Sequence, residues 1–242
     1  MKLREKGLPV KIVYLGHRDG SEIVVRKNDP AKDIYDLKGK RFAIPNKASN
    51  QYLVLTKLLE DKGIKPSDID FIEYPPPDMP GALGSGAIDA YFVGEPHCAK
   101  AEMDGTGRIL AYAKDIWPHF ISCCLVVTEK LIHEHPEEVK DLVRGIAESG
   151  MWAETHRLEA AKLVAPKPYF MQKEALLRYV LTQPPDRVSY AMLTPSDEEL
   201  QKIADMALKA GILQKHMDIR EIVDRQFIPE HIEAAKITVP GA

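Results

Sequence analysis

Strand-length apolar runs alternate with helix-periodic segments from Arg41 to Tyr112, and this order restricts the chain to α/β architectures. Arg41–Ile44 reads as a buried strand. A helix follows to about Lys62, with Leu53, Leu55, Leu58 and Leu59 giving helical spacing and Gly63 stopping it. Ile69–Tyr74 is the next strand, broken by Pro75-Pro76-Pro77. A short helix over 79–85 leads to the strand Ala90–Val93, which ends at Gly94-Glu95-Pro96, and Arg108–Tyr112 is a further strand. Strands joined through helices pair in parallel by right-handed crossovers, so 41–44, 69–74 and 90–93 are expected in one parallel sheet.

The flanks read differently. Val10–Leu15 and Glu22–Arg26 are two short β-branched runs separated by the polar turn His17–Ser21. Phe120–Thr128 is a long, wholly apolar strand, which predicts burial on both faces. From Pro136 the chain is mainly helical, over about 136–156, 158–165, 172–182 and 196–210, with a last helix near Ile219–Gln226. A net charge of -3 and the lack of a long basic run argue against nucleic acid as a partner. Cys98, Cys123 and Cys124 have neither metal-ligand spacing nor a disulfide framework. No apolar run approaches the ~20 residues that span a bilayer, and the start carries no signal-peptide pattern.

The segments DLKGKRFAIPN (36–46), IEYPPPDMPGALGSGAIDAYFVGEP (72–96), DIWP (115–118) and EKLIHEHPEEVKDLVRGIAESGMWAE (129–154) resemble the nitrate/sulfonate/bicarbonate/taurine group of ABC-transporter substrate-binding proteins. The resemblance is strongest over 36–154. It implies a two-lobed, periplasmic-binding-protein type II-like α/β fold with a ligand cleft between parallel-rich sheets. On that pattern 39–118 forms lobe two, while 1–38 and 119–242 form lobe one. Two βα units that precede such a segment in the family are expected to be missing from lobe one, which predicts self-association. The resemblance further implies capture of a small polar or anionic solute, partnership with an ABC permease and its ATPase, no catalysis, and a periplasmic or extracellular membrane-associated location with the targeting segment absent from these residues. The alternative is a thiamine-precursor (pyrimidine) synthase or binding protein on the same fold, which Cys123 and Cys124 faintly suggest.

Candidate ligand-binding residues follow from position and chemistry. Asn46, Ser49, Asn50 and Gln51 lie between a strand and a helix, where Ser49 or Asn50 can cap and helix N–H groups favour an anion. Arg18, Gly20 and Ser21, in the polar turn, offer a guanidinium and small donors, or form an exposed turn only. Trp117 either walls the cleft or packs as an ordinary aromatic. Glu95, fixed by Pro96, either faces a donor-bearing ligand or pairs with a nearby Lys or Arg. No resident cofactor is expected, although a divalent cation bridging a ligand to Glu95 is compatible with the charge.

Overall fold

The computed structural model describes residues 1–168 and 170–239. In chain order it opens with a single turn of helix, α1 (Lys2–Glu5), followed by β1 (Val10–Asp19) and β2 (Ser21–Arg26). The α/β alternation comes next: β3 (Arg41–Ile44), α2 (Asn50–Asp61), β4 (Asp70–Glu73), α3 (Met79–Ser85), β5 (Ala90–Gly94), α4 (His97–Met103), β6 (Gly107–Tyr112) and α5 (Ala113–Ile116). The strand β7 (Ile121–Thr128) then leads into α6 (Glu129–Glu134), α7 (Pro136–Thr155), α8 (Arg157–Val164) and α9 (Glu174–Thr182). A two-residue strand, β8 (Val188–Ser189), and α10 (Asp197–Lys209) complete the regular structure. Where the sequence predicts a helix over 219–226, only a 3₁₀ turn forms at Ile219–Glu221.

The chain divides into two units. Unit one holds 1–18, 121–163 and 188–242; unit two holds 19–120 and 164–187. Two boundaries differ from the sequence reading: 19–38 and 164–187 belong with the βα segment, not with the terminal helices. The reason is strand pairing. Although β2 follows β1 almost directly, it does not fold back on it. It lies inside the five-stranded sheet of unit two, order β4-β3-β5-β2-β6. There β3 pairs in parallel with β4 and β5, as expected, whereas β2 runs antiparallel to β5 and β6. Asp19 (φ 58°) and Gly20 (φ 72°) take the left-handed conformation between β1 and β2, and Gly20 tolerates it because it has no Cβ. Residues 18–21 are therefore not an exposed turn: Arg18, Asp19 and Ser21 are all buried.

The core of unit two lies between its sheet and α3 and α4. Val24, Ala43, Leu83, Tyr91, Val93 and Cys98 are at most 1% exposed there. On the sheet, Phe42 meets Phe71 edge-on at 5.5 Å, and Tyr52 from α2 meets Phe71 at 5.4 Å. Gly107 has to be glycine, because a Cβ there would sit 2.8 Å from Val24 Cγ1 and 2.9 Å from the Ala101 Cβ.

Unit one has a three-stranded sheet, order β7-β1-β8, flanked by helices. β7 runs antiparallel to β1, from Val10 opposite Thr128 to Arg18 opposite Ile121. The prediction that the 120–128 strand is buried on both faces fails, because β7 is an edge strand with Cys123 exposed and Val126 43% exposed. Val139, Val143, Ala147 and Gly150 recur at helical spacing along the buried face of α7. Among the described residues no helix is long and apolar enough to cross a membrane.

Candidate functional site

In unit two the parallel strands β3 and β5 end at one edge of the sheet, and in open α/β sheets ligands bind beyond the carboxyl ends of such strands. Past β3 the chain turns through Pro45 into a tight polar loop. Asn46 Oδ1 accepts from the Ala48 N–H at 2.9 Å, and Glu73, at the end of β4, accepts from the Lys47 N–H at 2.8 Å. Ser49 is the N-cap of α2, its Oγ accepting from the Tyr52 N–H at 3.2 Å. Asn50 opens the helix.

Gln51 reaches out of the first turn, and its Nε2 donates to Ser21 Oγ at 3.1 Å. Ser21 opens β2 opposite Gly94, the last residue of β5. Gly20 completes the corner: its carbonyl accepts from the Glu95 N–H and its own N–H donates to the Arg187 carbonyl, both at 2.9 Å. A Cβ on Gly94 would stand 3.7 Å from the Gly20 carbonyl oxygen, 3.8 Å from Ser21 Oγ and 3.9 Å from Gln51 Nε2. A side chain there would thus stand in ordinary contact with a hydroxyl and a carboxamide, which glycine leaves uncovered by any Cβ of its own. Both are neutral groups that can donate to an oxyanion or accept from an N–H.

Behind this corner lies a buried charge cluster. Arg187, 1% exposed, donates from Nη1 to Glu95 Oε1 at 2.9 Å and from Nη2 to Glu102 Oε2 at 2.7 Å. Its guanidinium carbon lies 5.5 Å from the ring centre of Tyr112 and 5.2 Å from that of Tyr179. The other oxygen of Glu95 accepts from the Ala99 N–H at 3.0 Å. Glu22, on β2, is fully buried, and neither of its carboxylate oxygens finds a donor. Burial, then the neighbouring charge of Glu95, push the Glu22 carboxyl well above the usual carboxylate range. Burial raises Glu95 as well, against the pull of Arg187. The Cys98 thiol is pushed far up by burial and then by Glu22 and Glu95, and donates to the Val93 carbonyl at 3.2 Å.

The residues expected from the sequence therefore separate. Asn46, Ser49, Asn50, Gln51, Gly20 and Ser21 gather at the β3/β5 edge of unit two. Glu95 does not present its carboxylate there; it pairs with a buried arginine, the alternative its sequence position leaves open. Arg18 belongs to unit one, where Nη1 and Nη2 bind both oxygens of Glu199 at 2.8 and 3.1 Å and Nε binds the Met192 carbonyl at 2.8 Å. The guanidinium that the sequence offered to a sulfonate or carboxylate ligand is instead buried and engaged with Glu199 and the Met192 carbonyl. Trp117 is half-buried against Phe120, ring centres 5.3 Å apart. Burial pushes the Cys124 thiol up to about 11, and the partial desolvation of the surface-exposed Cys123 raises its thiol as well, so neither is a ready thiolate nucleophile. Glu22 and Arg187 escaped the sequence reading, and Cys98 was seen there only as a cysteine without metal-ligand spacing. Glu22 alone carries a signal, a carboxylate inside an otherwise apolar β-branched run.

A two-unit α/β molecule with this strand-end corner has the architecture of solute-binding proteins. The chain belongs to the NMT1-like family, whose model matches residues 3–166. A Bacillus subtilis (strain 168) protein named for binding aliphatic sulfonates is 26% identical over 211 residues, 87% of this chain and 62% of that protein. A Staphylococcus aureus structure, the ligand-binding component of an ABC-type import system with zinc bound, superposes with a TM-score of 0.81 at 26% identity, covering 95% of this chain and 77% of that one. The periplasmic nitrate-binding protein NrtA of Synechocystis PCC 6803 superposes with a TM-score of 0.82 at 15% identity, covering 91% and 66%, which shows a shared fold. The chain spans less than two thirds of the length of the first curated relatives it matches, 62% and 65%.

Proposed function

We propose that this chain is the solute-capturing part of an ABC-type importer and binds a small oxyanion-bearing solute, a sulfonate or nitrate-like anion, at the Ser21–Gln51–Gly94 corner of unit two. The observation that carries the reading is the convergence of the Ser21 hydroxyl, the Gln51 carboxamide and the bare backbone of Gly94 at the ends of parallel strands. Neutral donors hold an oxyanion without the carboxylate repulsion that an inward-facing Glu95 would impose. The B. subtilis relative is named for sulfonates and NrtA for nitrate, two oxyanions that ask the same of a site. The proposed partners are the importer's permease and ATPase, with binding on the outer side of the membrane.

Isothermal titration with taurine, ethanesulfonate, nitrate, and bicarbonate with and without calcium tests the proposal. One of these is expected to bind. Gln51→Ala should weaken it by about tenfold, since a hydrogen bond contributes ~0.5–1.5 kcal/mol and more when the partner is charged. Gly94→Val, which fills the corner while keeping every polar group, should abolish binding. Undiminished binding by both variants would move the site elsewhere, and no heat with any of the solutes would remove this solute class.

A further inference from the structure

Three carboxylates, Glu22, Glu95 and Glu102, surround one guanidinium, that of Arg187, and three of these four side chains are almost wholly out of water. Ionised, the group carries an excess of two negative charges, which a low-dielectric interior does not tolerate without a compensating cation. Arg187 covers one oxygen of Glu95 and one of Glu102. It leaves Glu22 bare: both Glu22 oxygens are buried without a donor, and they face the neighbouring acceptor Glu95. With oxygens of the two groups within 4.8 Å of each other and no donor on Glu22, the pair repels unless a proton or a metal ion lies between them.

Cys98 decides which kind of metal would suit the place. A carboxylate oxygen of Glu22, one of Glu95 and the sulfur of Cys98 all lie within 4.8 Å of one another. The three come from β2, the β5–α4 connection and α4, which the sheet and the core pack in place. Zinc takes carboxylate oxygen at about 2.0–2.2 Å and thiolate sulfur at about 2.3 Å, so closure on an ion asks for shifts of roughly 1 Å. A thiolate among the ligands selects a soft or borderline divalent ion over calcium or magnesium. Binding through Glu22 and the Cys98 thiolate displaces up to two protons for one divalent ion, so the metal replaces their positive charge one for one and leaves the group no more negative than its protonated form. Around the site, Arg187 is the facing cation, Glu102 the remaining carboxylate, and Tyr91 and Tyr112 the nearby phenols.

We infer that Glu22, Glu95 and Cys98 form a buried structural site for a zinc-class divalent ion that pins β2 to α4. It involves none of the groups of the Ser21–Gln51–Gly94 corner and does not depend on which solute the protein carries.

The test uses zinc and cobalt(II) with the purified protein. Wild type, both expressed in zinc-supplemented medium and incubated with each metal at neutral pH, is freed of excess ion and its metal counted by mass spectrometry. It should retain about one ion per chain. The cobalt form should show a thiolate-to-cobalt charge-transfer band in the near ultraviolet. Cys98→Ser should lose that band, and Glu22→Gln should lower metal affinity by roughly tenfold or more, the scale of losing a ligand-sphere group. Wild type that keeps less than roughly a tenth of an ion per chain under both treatments would overturn the site. So would a cobalt form without the charge-transfer band, a readout that needs no variant to fold. Metal retained equally by wild type and folded variants would place the ion elsewhere. If Glu22→Gln melts higher than wild type whether or not zinc is present, the cluster is a proton-sharing acid pair and the metal reading falls.

Discussion

Asp89 belongs to the Gly-x-Ile-Asp-Ala stretch that helped to mark the family, and its work is structural. Its Oδ2 accepts from the backbone N–H and Nε of Arg41 at 3.1 and 3.0 Å, and its Oδ1 from Arg41 Nη2 at 3.0 Å and from Arg26. With its own N–H donating to the Arg41 carbonyl at 2.9 Å, it locks the start of β3 to the start of β5. The hydrogen bonds from the Arg41 side chain hold its pKa below the ordinary 3.8, against the opposing effect of burial. A depressed carboxylate contributes stability above its unfolded pKa and loses it as pH falls through the folded one. Asp89→Asn should therefore cost about 1.5–3 kcal/mol in urea unfolding at neutral pH, the scale of hydrogen bonds to a charged group. The gap between variant and wild type should shrink once pH drops below 3.8. A gap that stays constant into acid would show that the charge contributes nothing.

Among the elements, the segment 164–187 is the least expected. It leaves the terminal helices to join unit two, where α9 packs beside α4, and the side chain that secures it is Arg187. Tyr179 from α9 and Tyr112 from β6 flank the guanidinium, and Glu95 and Glu102 hold its two ends. Removing the cation leaves buried carboxylates without compensation, which costs more than the intact ion pairs contribute. Arg187→Met should lower unfolding free energy by about 3–5 kcal/mol and expose 164–187 to proteolysis. Pairing it with Glu95→Gln should recover part of the loss. An Arg187→Met protein that melts with wild type would exclude Arg187 as the clamp. Glu95 substitutions are accordingly expected to act on stability first.

For the whole molecule, the exposed strand matters most. β7 is the outer strand of its sheet, with Cys123 exposed and Val126 43% exposed, and such an edge is a template for pairing with another chain. Concentration-dependent self-association is expected in sedimentation velocity. Val126→Lys should suppress it by placing a charge on the open strand. Monodisperse monomer at high concentration would show that the edge is blunted by its own twist and bulges. The register of β1 against β7 does break at three points.

What the chain determined locally was legible. Period-2 and period-3.6 patterning with Gly and Pro punctuation put α3, α7, α10 and the β3–β4–β5 crossovers close to where they lie, because those patterns reflect short-range sterics. The strand-end loop at 46–51 was legible for the same reason: a strand, a capping serine and a helix suffice to place it. Pairing between distant strands was not. Nothing near 19–26 says that β2 crosses into the middle of another sheet while β1 stays behind, because that outcome depends on which edge of β5 is available. Only the tertiary structure could bring Arg187 to Glu95 across 92 positions, leave Glu22 bare beside Cys98, and turn an apolar strand outward at a sheet edge. Burial and charge compensation are set by neighbours distant in sequence, and a linear reading sees each residue without them.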